Sequence, residues 1–256
     1  MDVVRKNRHA WDRLVERGNR WTIPTSSAEI AAARIGQWEI YLTETKPVPR
    51  DWFPDLSGAD VLCLASGGGQ QGPVLAAAGA TVTVFDNSPK QLAKDQQVGE
   101  RENLTLQTVL GDMRDLSIFP NESFDLIVHP VSNIFVPSLH SVWSECYRVL
   151  RNGRDLLAGI VNPMDYTFDP HWIERGELRI KYSLPYSDLD SISEEERIAL
   201  YGEDAPIEFS HTMEEQIGGQ VWAGFLIAGF YEDHRSNSLI KNFLPSYFAT
   251  RARKLD

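Results

Sequence analysis

Apolar positions change their period along the chain. Over Val3 to Val15, Val4, Trp11 and Leu14 or Val15 recur at helical spacing against a charged face, which predicts an amphipathic helix. Thr25 to Leu42 predicts a second. Ser26 and Glu29 have capping-box spacing there, and Ile30, Trp38 and Leu42 follow at helical intervals. Lys46-Pro47-Val48-Pro49-Arg50 then breaks regular structure, because prolines two apart cannot continue a helix.

From Asp60 short apolar runs alternate with helical ones. Val61 to Ala65 reads as a strand, and a glycine cluster follows at Gly67, Gly68, Gly69 and Gly72. Val74 to Ala80 is small, apolar and helical, and Thr81 to Phe85 is a β-branched strand ending in Asp86. Ser88 caps the next helix, with Pro89 in its first position and Gln91 closing the box, and the helix runs to about Arg101. Leu104 to Leu110, Phe124 to His129 and Leu156 to Val161 read as strands, with a helix over Ser138 to Leu150. Alternation of this kind predicts a parallel α/β sheet. Residues 163–210, rich in Tyr, Asp, Ser and Pro, have no clear period and read as an insertion packed over the sheet edge. Thr212 and Glu215 open a further helix to about Ala228, and Phe230 to Arg235 and Tyr247 to Ala252 read as closing strands.

Charge narrows the partners. Asp plus Glu is 36 against 25 for Lys plus Arg, a net of −11, and the longest basic cluster is Arg251 to Lys254. An acidic chain without a basic stripe is a poor binder of nucleic-acid backbones. No stretch has the ~20 apolar residues of a membrane helix, and Met1 to Leu14 is charged, unlike a signal peptide. Cys63 and Cys146 are too few for a metal quartet or a disulfide framework, and Asp112, Asp115 and Asp125 do not make an oxygen-ligand cluster, so no metal site is expected. A cytoplasmic protein acting on small molecules, as monomer or homodimer, is the expectation.

The candidate chemistry lies at strand ends. Glycines between a strand and a helix let the backbone turn tightly and approach a ligand, and the helix N-terminus beyond favours an anionic group. Asp86, seventeen residues past Gly69, ends the next strand, where an acid can accept both ribose hydroxyls of a nucleoside. Gly67-x-Gly69-x-x-Gly72 formally fits the dinucleotide pattern, so an NAD(P)-dependent Rossmann oxidoreductase is one alternative. Against it, Gly111-Asp112-Met113 places an acid where an adenine amino group is read, and the chain closes with two strands after a helix.

The run Val61 to Gly69, then Asp86, Gly111-Asp112-Met113, Phe124-Asp125-Leu126-Ile127 and Tyr147-Arg148-Val149-Leu150 resembles the class I S-adenosylmethionine-dependent methyltransferases, over about residues 58–161. It most resembles a bacterial, type 11-like branch carrying Ala65-Ser66-Gly67-Gly68-Gly69-Gln70-Gln71-Gly72 and Pro130-Val131-Ser132-Asn133. The resemblance implies an α/β, Rossmann-like seven-stranded sheet with helices on both faces and the last strand antiparallel. Added to it here are an N-terminal helical lid segment (1–57) and the insertion at about 163–210, within a methyltransferase domain spanning 58–256.

By the same resemblance, S-adenosylmethionine and its product S-adenosylhomocysteine would be held by Ala65, Ser66, Gly67, Gly68 and Gly69 around the methionine end. Asp86 would hold the ribose, with Asn87, Ser88 and Gln91 beside it. Asp112, flanked by Gly111, would accept from the adenine amino group, with Met113 on the ring. His129, Pro130 and Val131 would line the methyl-transfer edge, and Trp38, Tyr41, Leu42 and Asn133 would lie toward the acceptor or in a lid. His129 is a candidate general base, being the side chain that titrates near neutrality. The opposing reading, in which it bonds the cofactor or backbone while positioning drives transfer, is favoured. A cofactor-binding module without catalysis is a further alternative. Three departures from the family's pattern stand out: Cys63 where an acid is common, leaving that polar interaction absent; Ala65 for the first loop glycine, so that the turn should avoid positive φ; and Arg154 for the second glycine of the turn before the fifth strand.

Overall fold

The computed structural model describes residues 2–256. Its strands are β1 (Asp60–Leu64), β2 (Thr81–Asp86), β3 (Leu106–Leu110), β4 (Phe124–His129), β5 (Leu150–Val161), β6 (Phe225–Asp233) and β7 (Tyr247–Lys254). They form one seven-stranded sheet in the order β3-β2-β1-β4-β5-β7-β6, with β1 to β5 parallel and β7 antiparallel to both β5 and β6. Strand order reverses beside β1, and ligands of such sheets bind in the crevice at the carboxyl ends there. The helices are α1 (Val3–Glu16), α2 (Ser27–Arg34), α3 (Gln71–Ala77), α4 (Pro89–Glu102), α5 (His140–Val149), α6 (Pro170–Ile173), α7 (Glu194–Tyr201) and α8 (Gly219–Ala223). None of the described helices is long and apolar enough to cross a membrane.

Each sheet face carries its own core. Alternate residues of β1 show why: Val61 and Cys63 pack with Leu75, Val84, Leu92 and Ile30 on one face, Leu62 and Leu64 with Phe85, Trp143 and Cys146 on the other. Strands buried on both faces read as unbroken apolar runs, which is how β1 and β4 look in the sequence.

Three expectations are corrected. The helix expected over Thr25 to Leu42 is only α2. The Ser26–Glu29 capping box forms, but the helix stops at Arg34, and residues 37–48 are non-helical and double back through a bend at 42–45, with Tyr41 bridged to Pro47 and Val48 N–H donating to the Ile40 carbonyl (2.9 Å). That segment is claimed by the sheet: the Leu42 carbonyl accepts from Val131 N–H (3.1 Å), and a Cβ at Gly159 of β5 would lie 2.2 Å from the Leu42 oxygen, so the crossing requires glycine there. The helix expected to reach Ala228 ends at Ala223, because residues 225–233 pair with β7 instead. The fifth strand begins six residues early, at Leu150, directly after α5.

Candidate cofactor site

The glycine loop leaves β1 at the reversal of strand order. Ala65 N–H donates to the Phe85 carbonyl (2.7 Å), and Ala65 itself adopts φ 47°. This corrects the expectation of a turn without positive φ. A methyl side chain there carries the left-handed strain that glycine would not feel. Gly67 N–H donates to Asp86 Oδ2 (2.9 Å), and a Cβ on Gly67 would lie 2.7 Å from Gln91 Cβ. Gly68 and Gly69 follow at φ +118° and +75°.

Asp86 also accepts from Ser88 N–H through Oδ1 (2.8 Å). Its oxygens keep lone pairs beyond these two bonds, as a carboxylate offers about four acceptor sites. Burial raises its pKa, opposed by the amides of Ser88, Gly67 and Asn87. Yet Asp86 is only half-buried by exposure. That remaining exposure is what a ribose-binding acid requires. Gly111 N–H donates to the Asp86 carbonyl (3.0 Å), bringing the β3 turn alongside, and Met113 is buried against Phe85. Asp112 is gripped by Arg114, whose Nε and Nη2 reach its oxygens at 3.0 and 2.6 Å.

His129, at the end of β4, has no exposed surface. Its Nδ1–H donates to the Leu64 carbonyl (3.0 Å), since a carbonyl can only accept. Nε2 lies 2.6 Å from Asn133 Oδ1; exchanging that amide's oxygen and nitrogen would turn its otherwise unpartnered NH2 onto Nε2 and suit a neutral ring. Burial pushes the His129 pKa down, against the bonds to Leu64 and Asn133. Both ring nitrogens are committed inside the protein. Pro130 and Val131 continue past it to the contact with Leu42.

α1 lies across these strand ends. Arg8 Nε donates to the Asn87 carbonyl (3.0 Å), Asn87 Nδ2 to the Val4 carbonyl (2.8 Å), and Ser88 Oγ to Asp12 (2.6 Å). At the other end, Asn7 donates to the carbonyls of Phe135 (2.9 Å) and Ile207 (3.0 Å) and accepts from Ile207 N–H (2.7 Å), while Trp11 meets Phe135 edge-on. The Thr25 amide donates to the Gly69 carbonyl (2.8 Å), so the segment before α2 rests on the glycine loop. Trp38 stacks under Arg50 and against Phe53, and with Tyr41 it lines an open hollow of about 590 Å³ bordered by Glu29 and Val74, which includes no glycine-loop residue. Of the acceptor-side candidates, the structure therefore brings Leu42 and Asn133 to the strand ends, not Trp38.

Sequence reasoning missed Asp95 of α4. It has no exposed surface, and its Oδ2 accepts from Gly68 N–H (3.0 Å). Burial raises its pKa to about 8, opposed by the amides of Gly69 and Gly68. An acid on α4 thus reaches the loop on the sheet face that carries Cys63. The available signal was one acid on the otherwise inward face of Leu92, Asp95 and Val98.

The chain matches the family described as "Methyltransferase domain" over residues 62–158. It is 48% identical over 253 residues to "Uncharacterized methyltransferase YbaJ" of Bacillus subtilis, covering 99% of each chain. The chain belongs to the class I S-adenosylmethionine-dependent methyltransferases. This methyltransferase shares its fold with an S-adenosylmethionine-dependent methyltransferase from Mesorhizobium loti (17% identity, TM-score 0.62, 80% of this chain and 95% of that one). It also resembles the Burkholderia thailandensis 1,6-didemethyltoxoflavin-N1-methyltransferase, solved with S-adenosylhomocysteine (13% identity, TM-score 0.60, 99% of this chain and 89% of that one). The cofactor is S-adenosylmethionine, and the dinucleotide-like glycine spacing is a formal coincidence. The glycine loop, Asp86 and the β3 turn lie side by side at the carboxyl ends of the strands, where ligands of such sheets bind.

Proposed function

We propose that the methyl acceptor is a small molecule received beyond Val131, under α1 and the 163–210 insertion. The observation that carries this reading is the pair Tyr166 and Glu208. The Tyr166 hydroxyl donates to Glu208 Oε2 (2.7 Å), and its ring stacks on Tyr186. Desolvation dominates both titrations, lifting Tyr166 well above its usual range and Glu208 to about 6, while both stay only half-buried by exposure. Both therefore keep accessible surface for a ligand. Tyr166, Val131 and Phe135 pack against the cluster of Ile134, Val161 and Tyr247 beyond β4 and at the end of β5, which connects the pair to the cofactor side.

When bound, S-adenosylmethionine supplies a methyl group on a positively charged sulfur. The chain's own residues bind, orient and exclude water: Asp86 and the loop hold, and α1 with the insertion closes the site. We read α1 as the lid, because it bridges Asn87–Ser88, Phe135 and Ile207 in one span. His129 is fully buried with both ring nitrogens engaged by Leu64 and Asn133, so transfer proceeds by alignment in a dry cleft without a histidine base. The net charge of −11 supports a neutral or cationic small acceptor over nucleic acid.

The test measures S-adenosylhomocysteine formation by the purified protein, supplied either with an ultrafiltrate of small molecules from a bacterial extract or with the retained macromolecules. Product with the ultrafiltrate supports the reading. Product only with the macromolecular fraction refutes it.

A further inference from the structure

Asp95 is a carboxyl enclosed on all sides that forms no ion pair, and burying such a group is costly unless hydrogen bonds compensate. What meets it is the glycine loop. Gly68 N–H is shared between Asp95 Oδ2 (3.0 Å) and the Gln91 carbonyl (3.1 Å), and the Gly69 amide also favours the ionised form of this carboxyl. Asp95 Oδ1 has no partner among the described residues and faces Gly72, where a Cβ would come within 3.2 Å of it. On the other side of the loop, Asp86 takes the Gly67 amide. Two consecutive amides, Gly67 and Gly68, are therefore bonded to two carboxyls, one at a strand end and one on a helix. Cys63 of β1 is fully buried on the same face, close enough for Asp95 to act on its thiol.

We propose that Asp95 is the positioning residue of the cofactor site: by holding the Gly68 and Gly69 amides inward from α4, it fixes the loop in the shape that receives the methionine end of S-adenosylmethionine, a task that leaves Cys63 on β1 free to be apolar. The inference rests on the cofactor identity established above. It predicts that the acceptor function matters and that its place of attachment does not. A carboxyl moved from α4 to β1 can serve the same amides.

The experiment measures S-adenosylmethionine and S-adenosylhomocysteine binding by calorimetry, with melting followed by circular dichroism, for wild type, Asp95→Ala, Asp95→Asn and the double variant Cys63→Asp/Asp95→Ala. Asp95→Ala should weaken both ligands by about tenfold or more while remaining folded, as the loss of a charged or multiply shared hydrogen bond would do. Asp95→Asn, which keeps an acceptor oxygen for Gly68, should stay within about threefold of wild type. The double variant should recover most of the loss. Should Asp95→Ala fail to fold, Asp95→Ser replaces it, alone and with Cys63→Asp, under the same thresholds. Normal binding by folded Asp95→Ala, an equal loss in Asp95→Asn, or a folded double variant without recovery each overturns the proposal. Wild-type binding is the control that separates its failure from failure of the cofactor assignment.

Discussion

The contact that decides whether α1 acts as a lid is Asn7, buried to 2% exposure and joined to two distant parts of the chain. Asn7→Ala removes its hydrogen bonds to the Phe135 carbonyl and to both backbone groups of Ile207. At about 1 kcal/mol net for each of three bonds, the loss is roughly 3 kcal/mol. Arg8 and Asp12 still hold the helix to the β2–α4 corner, so the loss falls on local opening. At 1.4 kcal/mol per tenfold, the open population should rise about 100-fold. Hydrogen exchange read by mass spectrometry should show faster exchange in α1 and around Ile207, with β1 and β4 unchanged. Affinity for S-adenosylhomocysteine should fall with it, because a lid open more often leaves the site exposed to water. A folded variant with wild-type protection across α1 would refute both the bond accounting and the lid.

Three further outcomes follow from the same geometry. Ala65→Gly should stabilise the protein by about 1 kcal/mol in urea unfolding, since the left-handed penalty of an L-residue exceeds the added flexibility of glycine, and a destabilised variant would show that the φ of 47° costs nothing. Asp86→Ala should weaken both cofactor forms by about 10- to 150-fold and also lower the melting temperature, because the Gly67 and Ser88 amides lose their acceptor, and unchanged affinity would remove Asp86 from the site. The pKa of Asp95 is raised on folding to about 8, so the folded state binds its proton more tightly than the unfolded state and stability from this group is lost as pH rises from about 4 to 8; Asp95→Asn cannot ionise and should gain stability relative to wild type across that window, and parallel pH–stability curves would contradict the shift.

Local chemistry made much of the molecule legible. The Ser26–Glu29 box, the Ser88-Pro89 helix start and the doubly buried runs of β1 and β4 form as their residues dictate, because caps and alternation act over a few neighbours. The glycine cluster and Asp86 could be read together because a strand–turn–helix unit places them close in space and near in sequence. What the sequence by itself could not determine depends on partners far along the chain. Residues 37–42 have helical spacing but are drawn out of the helix where Leu42 meets Val131 and Gly159, and residues 225–227 leave a helix to pair with β7. His129 reads from sequence as a base or, by preference, a group bonding cofactor or backbone, and only the fold brings Leu64 and Asn133 to its two nitrogens. Asp95 was invisible because the Gly68 amide it accepts from lies twenty-seven residues away. Periodicity and capping record what each segment prefers alone, whereas the bonds made at the sheet's carboxyl edge belong to segments that only the folded chain brings together.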